Sequence, residues 1–339
     1  MKRNSPQGWV GGARPPGRKL TLLLLILIVL FGFIYYLHVI SNTNLLHSLI
    51  YKPKYQWRPE FSELNGPDIS WSDGRVVDKL KRGFLSYPSE SSYNLSEPWD
   101  SDVSMGQSQV IRKVFHDHLK SNYKGFFVEC GALDGETRSN TLYLERYAHW
   151  AGLLIEADPS NFQNLKLKFR KAIVSNTCLS TKSYPVMVSF EQNSNQGRVS
   201  SYGVGVIEKN HVDVQCFPLN TFMLALNVTK IDYFSLDVEG AELDILKTID
   251  FKSIHISTLS VEFIHDVEGK NAIKEHMTQH GYFVLTEVTH PNWLANDFIF
   301  VKKSFFDQLS TGVKRELDEI KESYARDGAI VSGDKRLFF

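Results

Sequence analysis

Apolar runs alternate with segments of helical period from about residue 109 to residue 303. The runs GFFVEC, GLLIEAD, IDYFSLDV and STLSVEFIH predict strands, whereas TRSNTLYLERYAHW, PSNFQNLKLKFR and AELDILKTI have the spacing of helices. This order predicts an α/β fold with a doubly wound, mostly parallel sheet. In such sheets ligands bind outside the carboxyl ends of the strands, so those ends are where candidate chemistry is expected.

Three further strand-like runs, KAIVSNTC, YPVMVSFE and HVDVQC, bring in two of the three cysteines. An odd number allows at most one intramolecular pair. Cys178 and Cys216 each follow or end a strand-like run, so we expect a disulfide between them. Cys130 lies inside an apolar strand, which predicts a small buried hydrophobic side chain rather than a reactive thiol.

A longer apolar run stands near the amino terminus, at residues 20–40. It holds about 20 apolar residues, enough to span a bilayer as one helix. Residues 1–19 contain five basic and no acidic side chains, which predicts a cytosolic tail and a type II signal anchor. A cleaved signal peptide is the alternative, but no small-residue cleavage site follows the run.

Residues 41–106 are rich in Ser, Pro, Trp and Tyr and have no sustained period, which predicts a lumenal stem. Residues 107–303 form the predicted domain, and residues 304–339 a helix and tail. Asn94 and Asn227 begin N-glycosylation sequons. We therefore expect a protein of secretory-pathway membranes, in the endoplasmic reticulum, the Golgi or the plasma membrane, with its main domain in the lumen.

The 339 residues carry 38 basic and 38 acidic side chains, so no overall charge favours nucleic acid as a partner. Acids nevertheless end three predicted strands, at Glu129, Glu156 and Asp237. Any one acid alone fits a cap for the following helix. The three together indicate a ligand site.

The loop VECGALDGE, residues 128–136, has acids where a phosphate-binding loop has a cation. Glu156 follows Gly135 by about 20 residues, at the position where Rossmann-like folds place an acid on ribose hydroxyls. Asp134 and Glu136 would repel a pyrophosphate and accept a cationic sulfonium with an ammonium group. S-adenosylmethionine is a nucleoside of that description.

The segments VECGALDGETRSNTLYLE, WAGLLIEADPSNFQNL, IDYFSLDVEGAELDILKTIDF and LSVEF resemble the FkbM-type methyltransferase family. The resemblance implies a class I, Rossmann-like methyltransferase that uses S-adenosylmethionine. It also implies that Glu129, Gly131 and Gly135 shape the methionine end of the pocket, that Glu156 holds the ribose, and that Asp237 and Glu239 lie near the transferring methyl group. The family usually has Val-Asp-Val-Gly-Ala-Asn where this chain has Val-Glu-Cys-Gly-Ala-Leu.

Methyl transfer to a hydroxyl needs alignment of donor and acceptor and a base for the proton. The candidate bases are Asp237, Glu239, Glu262 and His265, of which His265 also fits an ordinary surface histidine. No His or Cys cluster has metal-ligand spacing, so no metal is predicted. Asp237-Val238-Glu239 also imitates the D-x-D of Golgi glycosyltransferases, although a Gly-Ala-Glu helix start follows it.

The anchor and stem, with ECGALDGE, SNTLYLE, LLIEADP, CLS and DVEGAE, resemble a Star-like branch of animal proteins within this family. That resemblance implies a different function, the escort of membrane-anchored growth-factor precursors from the endoplasmic reticulum to the Golgi. O-methyl transfer and catalytically silent cargo escort therefore both stay open at this point.

Overall fold

The computed structural model describes residue 32 and residues 64–333, apart from 201–203, 206–207 and 293. From residue 64 onward these residues belong to one unit, which spans Pro59–Phe339. The predicted cytosolic tail and, apart from residue 32, the predicted anchor at 20–40 lie outside the described residues, as does the first part of the stem. Among the residues described, no helix combines the length and the apolar character that crossing a membrane requires.

Strands and helices alternate over the middle of the chain, as predicted. Their order is α1 (Gly74–Gly83), β1 (Leu85–Ser86), α2 (Gln107–Val114), α3 (His116–Lys120), β2 (Phe126–Cys130), α4 (Leu142–Ala148), β3 (Ala151–Ile155), α5 (Pro159–Leu167), β4 (Ile173–Ser175), β5 (Cys178–Leu179), β6 (Val186–Glu191), β7 (Arg198–Val199), β8 (His211–Phe217), α6 (Leu219–Leu226), β9 (Lys230–Leu236), α7 (Glu242–Thr248), β10 (His255–Glu262), α8 (Lys270–Gln279), β11 (Tyr282–Thr289), β12 (Asn296–Lys302), α9 (Lys303–Phe306), α10 (Thr311–Asp327) and β13 (Ile330–Val331).

Within the described residues, nine strands form one sheet in the order β1-β4-β3-β2-β9-β10-β12-β11-β13. The neighbours from β4 to β10 are parallel, which confirms the α/β prediction. β12 runs antiparallel to both β10 and β11, and β1 runs antiparallel to β4, so the sheet is mixed. The connection from β11 to β12 is too short for a helical crossover, and a short connection requires the antiparallel direction.

The parallel strands are covered on both faces by apolar side chains. Val128 and Leu153 pack into one hydrophobic core, whereas their neighbours Phe127 and Leu154 pack into the core on the opposite face. Successive side chains of a strand point to opposite faces, so these strands are apolar throughout their length. The acids that end β2 and β3 therefore lie at one edge of the sheet, whereas β9 and β10 also hold buried polar side chains along their length.

A second, four-stranded sheet has the order β5-β8-β6-β7. The run KAIVSNTC divides between the two sheets, because the chain leaves the first sheet after Ser175 and enters the second at Cys178. Cys178 lies opposite Cys216 in the pairing of β5 with β8, and a disulfide joins them. Cys130 is buried with a free thiol, at the end of β2.

Residues 64–106 are packed on the domain, which corrects the predicted stem in its second half. Val76 and Leu80 of α1 are fully buried, and α1 contacts α6. β1 pairs with β4 at the edge of the large sheet. The elements α1 and β1 are short, and residues 87–106 after them are held by polar contacts. This segment therefore has no sustained hydrophobic period, and its sequence resembles that of a linker.

Candidate functional site

A cleft of about 210 Å³ opens at the carboxyl ends of β2, β3, β9 and β10. This is the edge at which the sheet topology predicts a ligand. The second sheet contributes the facing wall, where Cys178 and Phe190 line the cleft beside residues 194–197. The predicted site residues that line it are Glu129, Gly131, Glu156, Asp237, Glu239, Glu262 and His265.

Gly131 lies where the first loop passes closest to the end of β9. Its backbone has φ +84°, and a Cβ added there would lie 1.9 Å from the carbonyl oxygen of Asp237. The Asp237 N–H donates to the Cys130 carbonyl at 3.1 Å, so a backbone hydrogen bond joins the end of β9 to the residue before Gly131. Only glycine allows this approach together with a positive φ.

Glu129 is buried and holds the segment that leads into α4. Its carboxylate accepts hydrogen bonds from the Asn140 N–H at 2.7 Å, the Ser139 hydroxyl at 2.8 Å and the Thr141 hydroxyl at 2.5 Å. Burial raises the pKa of Glu129, and the Arg170 guanidinium opposes that rise. The side chain therefore shapes the wall of the cleft through the loop that it positions.

Asp134 and Gly135 were predicted to bind a cofactor, but neither lines the cleft. The Asp134 carboxylate accepts from the N–H groups of Glu136 and Thr137 and closes a turn. Glu136 faces away as well, and its carboxylate pairs with the Lys168 ammonium at 2.6 Å. The loop turns outward after Leu133, so its second half serves the packing of the chain.

Glu156 ends β3, lines the cleft and is 5% exposed. One carboxylate oxygen accepts from the Leu133 N–H at 2.7 Å and the other from the Asp158 N–H at 2.8 Å. Burial raises its pKa to about 8. Each oxygen can accept a second hydrogen bond, so a ligand hydroxyl is still able to reach it.

Three of the four predicted bases meet at the ends of β9 and β10. The Nδ1 atom of His265 lies 3.0 Å from a Glu239 oxygen and 3.1 Å from a Glu262 oxygen. Burial and the nearby Asp237 carboxylate raise the pKa of Glu239 to about 7. Burial and the surrounding carboxylates also raise the pKa of Glu262.

Asp237 lies beside this group, enclosed by protein on most sides but open to solvent through the cleft. Its side chain makes no hydrogen bond within the described residues. Burial raises its pKa, and the charge of Arg138 opposes that rise. An open carboxylate beside other acids favours a ligand with positive charge.

The same acids form two sets whose ligand atoms lie within 4.8 Å of one another. One set is Glu239, Glu262 and His265, and the other is Asp237, Glu242 and Glu262. Neither set was predicted, because their members come from separate strands and lack a fixed spacing in the sequence. We assign no metal to either set.

Two further side chains of the cleft were not predicted. Arg138 follows the acidic stretch by only two residues, so its charge close to Glu136 is the signal in the sequence that indicates it. Asn140 is 8% exposed, and its carbonyl oxygen has no hydrogen-bond partner among the residues that the structure describes. No pattern in the sequence distinguishes this asparagine from a helix cap.

Residues 129–284 match the family model described as the Methyltransferase FkbM domain. The chain matches no curated protein. A crystal structure of methyltransferase FkbM from Methylobacillus flagellatus KT at 2.20 Å resolution is similar over 52% of this chain and 43% of that one, with 13% identity and a TM-score of 0.36. The chain thus covers less than half the length of that protein. The family match supports an FkbM-type methyltransferase domain over residues 129–284, and every acid that lines the cleft lies in that range.

Proposed function

We propose that this chain is an S-adenosylmethionine-dependent methyltransferase whose acceptor atom is an oxygen. The family match supports this activity. The observation that carries it is the open carboxylate of Asp237 on the floor of the cleft, with Glu239 and Glu262 beside it. A ligand with sulfonium and ammonium groups supplies the positive charge that such a floor favours.

The residues of the cleft fit this cofactor. The unpaired carbonyl oxygen of Asn140 offers a buried acceptor for an N–H donor. Gly131 lines the cleft, and its lack of a side chain lets the end of β9 with Asp237 approach the loop closely. Glu156 has accepting capacity left for a ribose hydroxyl. Gly131, Glu156 and Asp237 would hold the cofactor, which supplies an activated methyl group when bound, and Glu129 would position the loop beside it.

Glu239 is the base that this geometry favours for a hydroxyl acceptor. A pKa of about 7 allows it to accept a proton near neutral pH, and its contact with the His265 ring fixes its carboxylate. The hydroxyl proton would pass to Glu239 as the acceptor oxygen gains the methyl group. Glu262 shares the His265 contact, and its raised pKa favours the protonated form.

Calorimetric titration with S-adenosylmethionine and S-adenosylhomocysteine tests this proposal. We expect saturable binding by the wild-type chain and a loss of about tenfold or more in Asp237→Asn for the charged cofactor, because a nearby carboxylate is removed. Asp134→Asn is the matched control, since that carboxylate does not line the cleft. Absence of binding by a folded wild-type chain would exclude the proposed activity.

We further propose that residues 20–40 anchor the chain in a secretory-pathway membrane, with the domain in the lumen. The basic residues at 1–19, the disulfide and the exposed side chains of Asn94 and Asn227 support this location. Protease protection of intact microsomes tests the topology. A glycosidase-sensitive mass shift that is absent in Asn94→Gln and Asn227→Gln tests the two sequons.

Star-like escort of membrane-anchored growth-factor precursors is the second candidate function. One observation favours it: the carboxylates of Glu129, Glu136 and Glu156 all accept backbone N–H groups, which gives a structural reason to keep them without catalysis. An escort would export cargo normally with Asp237→Asn and fail when residues 1–63 are removed. An enzyme would show the opposite pattern in a methyl-transfer assay.

A further inference from the structure

Arg138 presents a positive charge to the cleft, and from beyond ion-pair distance that charge favours the ionised forms of Asp237 and Glu239. Its side chain is half-buried and lines the cleft, yet it makes no hydrogen bond or ion pair with any described residue. Its backbone has φ +58°, a conformation that is uncommon for a residue with a side chain. Among the described residues that line the cleft, no lysine and no second arginine is present.

Asn140, two residues later, presents a buried hydrogen-bond acceptor to the cleft. Its amide nitrogen donates to the Ser235 hydroxyl at 3.0 Å, and its backbone N–H donates to Glu129 at 2.7 Å, so the side chain is fixed in place. The carbonyl oxygen Oδ1 remains buried without a donor. Buried acceptors are rarely left unpaired, so this atom is available to a ligand N–H group.

The two unmet groups are complementary to one chemical unit. A guanidinium binds a carboxylate through two parallel hydrogen bonds, and an amide oxygen accepts from an ammonium group. Asp237 and Glu239 on the floor favour the ammonium end as well. A carboxylate and an ammonium on the same carbon define an α-amino acid.

We propose that Arg138 and Asn140 form a subsite for the α-amino-acid end of a ligand. Where that ligand is S-adenosylmethionine, the inference rests on the proposed function, because its methionyl end carries both groups. The alternative source of the same chemistry is a free or terminal amino acid. In either case Arg138 contacts the carboxylate and Asn140 contacts the ammonium.

Three probes separate these sources in calorimetric titrations of the full chain. S-adenosylhomocysteine has the amino-acid end, 5′-methylthioadenosine lacks it, and L-methionine has it without the nucleoside. We expect Arg138→Gln to weaken S-adenosylhomocysteine binding about ten- to a hundredfold, since a charge-assisted contact is lost. Binding of 5′-methylthioadenosine should change less than about twofold, because it makes no contact with the subsite.

Arg82→Gln is the matched control, because Arg82 pairs with Asp78 at 3.6 Å on the surface of α1 and does not line the cleft. Asn140→Leu should show the same selective loss, and its melting temperature reports whether it folds. If it does not fold, the Arg138 variants carry the test alone. Arg138→Lys should restore part of the affinity by keeping the charge without the two-pronged geometry.

The outcomes are distinct for the subsite and for the proposed function. Equal losses for both nucleosides in Arg138→Gln, or no loss for either, would overturn the subsite. If the wild-type chain binds L-methionine in an Arg138-dependent way but neither nucleoside, the subsite stands and the cofactor proposal fails. If the folded wild-type chain binds none of the three probes, both proposals fail.

Discussion

Glu129, Glu136 and Glu156 show how far single residues can be predicted from sequence. Their place at or after strand ends follows from the local alternation of strands and helices. Their hydrogen bonds do not, because partners such as Ser96 and Lys168 lie 40 and 32 residues away from Glu136. The sequence therefore indicated an acidic site, while the choice of acids that face the ligand depended on contacts that no local pattern contains.

Gly131 is the residue whose substitution should disturb the cleft most directly. Gly131→Ala would place a Cβ 1.9 Å from the Asp237 carbonyl oxygen, so the loop and the end of β9 would have to separate. We expect a loss of about 3 kcal/mol or more in the free energy of unfolding, measured by urea denaturation.

Gly281→Ala is the control for that substitution. Gly281 also has a positive φ, +82°, but its nearest atom is the end of the Lys302 side chain at 3.9 Å. Only the backbone preference is lost there, at a cost of about 1–2 kcal/mol. If both variants lose the same free energy of unfolding, the contact with the Asp237 carbonyl oxygen adds nothing to the cost of Gly131→Ala.

Elements with a long, regular hydrophobic period were predicted well, and irregular ones were not. β2 and β3 are apolar on both faces, so each stands out as a nearly continuous apolar run, and β9 and β10 carry enough apolar side chains to be predicted despite their buried polar residues. The separate second sheet could not be predicted, because strand pairing depends on partners distant in sequence. Likewise, residues 87–106 follow α1 and β1 and are held by polar contacts, so residues 64–106 resembled a stem in the sequence.

The segment before residue 107 should be required for folding. A chain that starts at residue 64 keeps α1 and β1, whereas one that starts at residue 107 exposes the β4 edge and leaves Glu136 without its Ser96 and Glu97 donors. We expect cooperative thermal unfolding of 64–339 and aggregation of 107–339, because an uncovered edge strand pairs with other chains. A soluble 107–339 with the same melting temperature would return this segment to the role of a linker.

The disulfide between β5 and β8 should contribute to stability in a way that reductant reveals. It closes a loop of 38 residues, so Cys178→Ala with Cys216→Ala should lower the free energy of unfolding by about 2–4 kcal/mol. Urea denaturation with and without dithiothreitol checks this. Cys130→Ala should keep the full response to reductant, and a wild-type chain that ignores reductant would contradict the prediction.

At the scale of the whole molecule, carboxyl groups converge beneath the cleft from three strands. Asp237 follows β9 and is open to the cleft, whereas Glu262 ends β10 and Asp297 lies in β12, and burial raises the pKa of these two. Acids with a raised pKa bind more protons in the folded than in the unfolded chain. Stability contributed by the protonated form is therefore lost as the pH rises.

Asp297 allows this to be measured, because burial and the nearby Asp237 raise its pKa to about 7. Its ordinary value is about 3.9, so its share of stability should be lost as the pH rises from about 4 to about 7. Asp297→Asn keeps an oxygen for Gln107 and the Asn296 N–H and removes the charge. We expect it to reduce the loss between pH 5 and pH 8 by about 2 kcal/mol, measured by thermal unfolding.

Asp244→Asn is the comparison, since the Asp244 side chain is 57% exposed on α7. It removes one negative charge from the surface, so it controls for the change in net charge alone. An unchanged slope in Asp297→Asn would mean that this carboxyl group is ionised throughout the range.

The position of Cys178 on the wall of the cleft links ligand binding to the place of synthesis. In a chain made in a reducing cytosol, that wall is held by noncovalent contacts, among them the short pairing of β5 with β8. In a chain that passes through an oxidising compartment, the disulfide adds a covalent link. Recombinant material from a bacterial cytosol and from a secreting host should therefore differ in affinity as well as in stability. The expression host thus becomes a variable in every binding experiment on this protein.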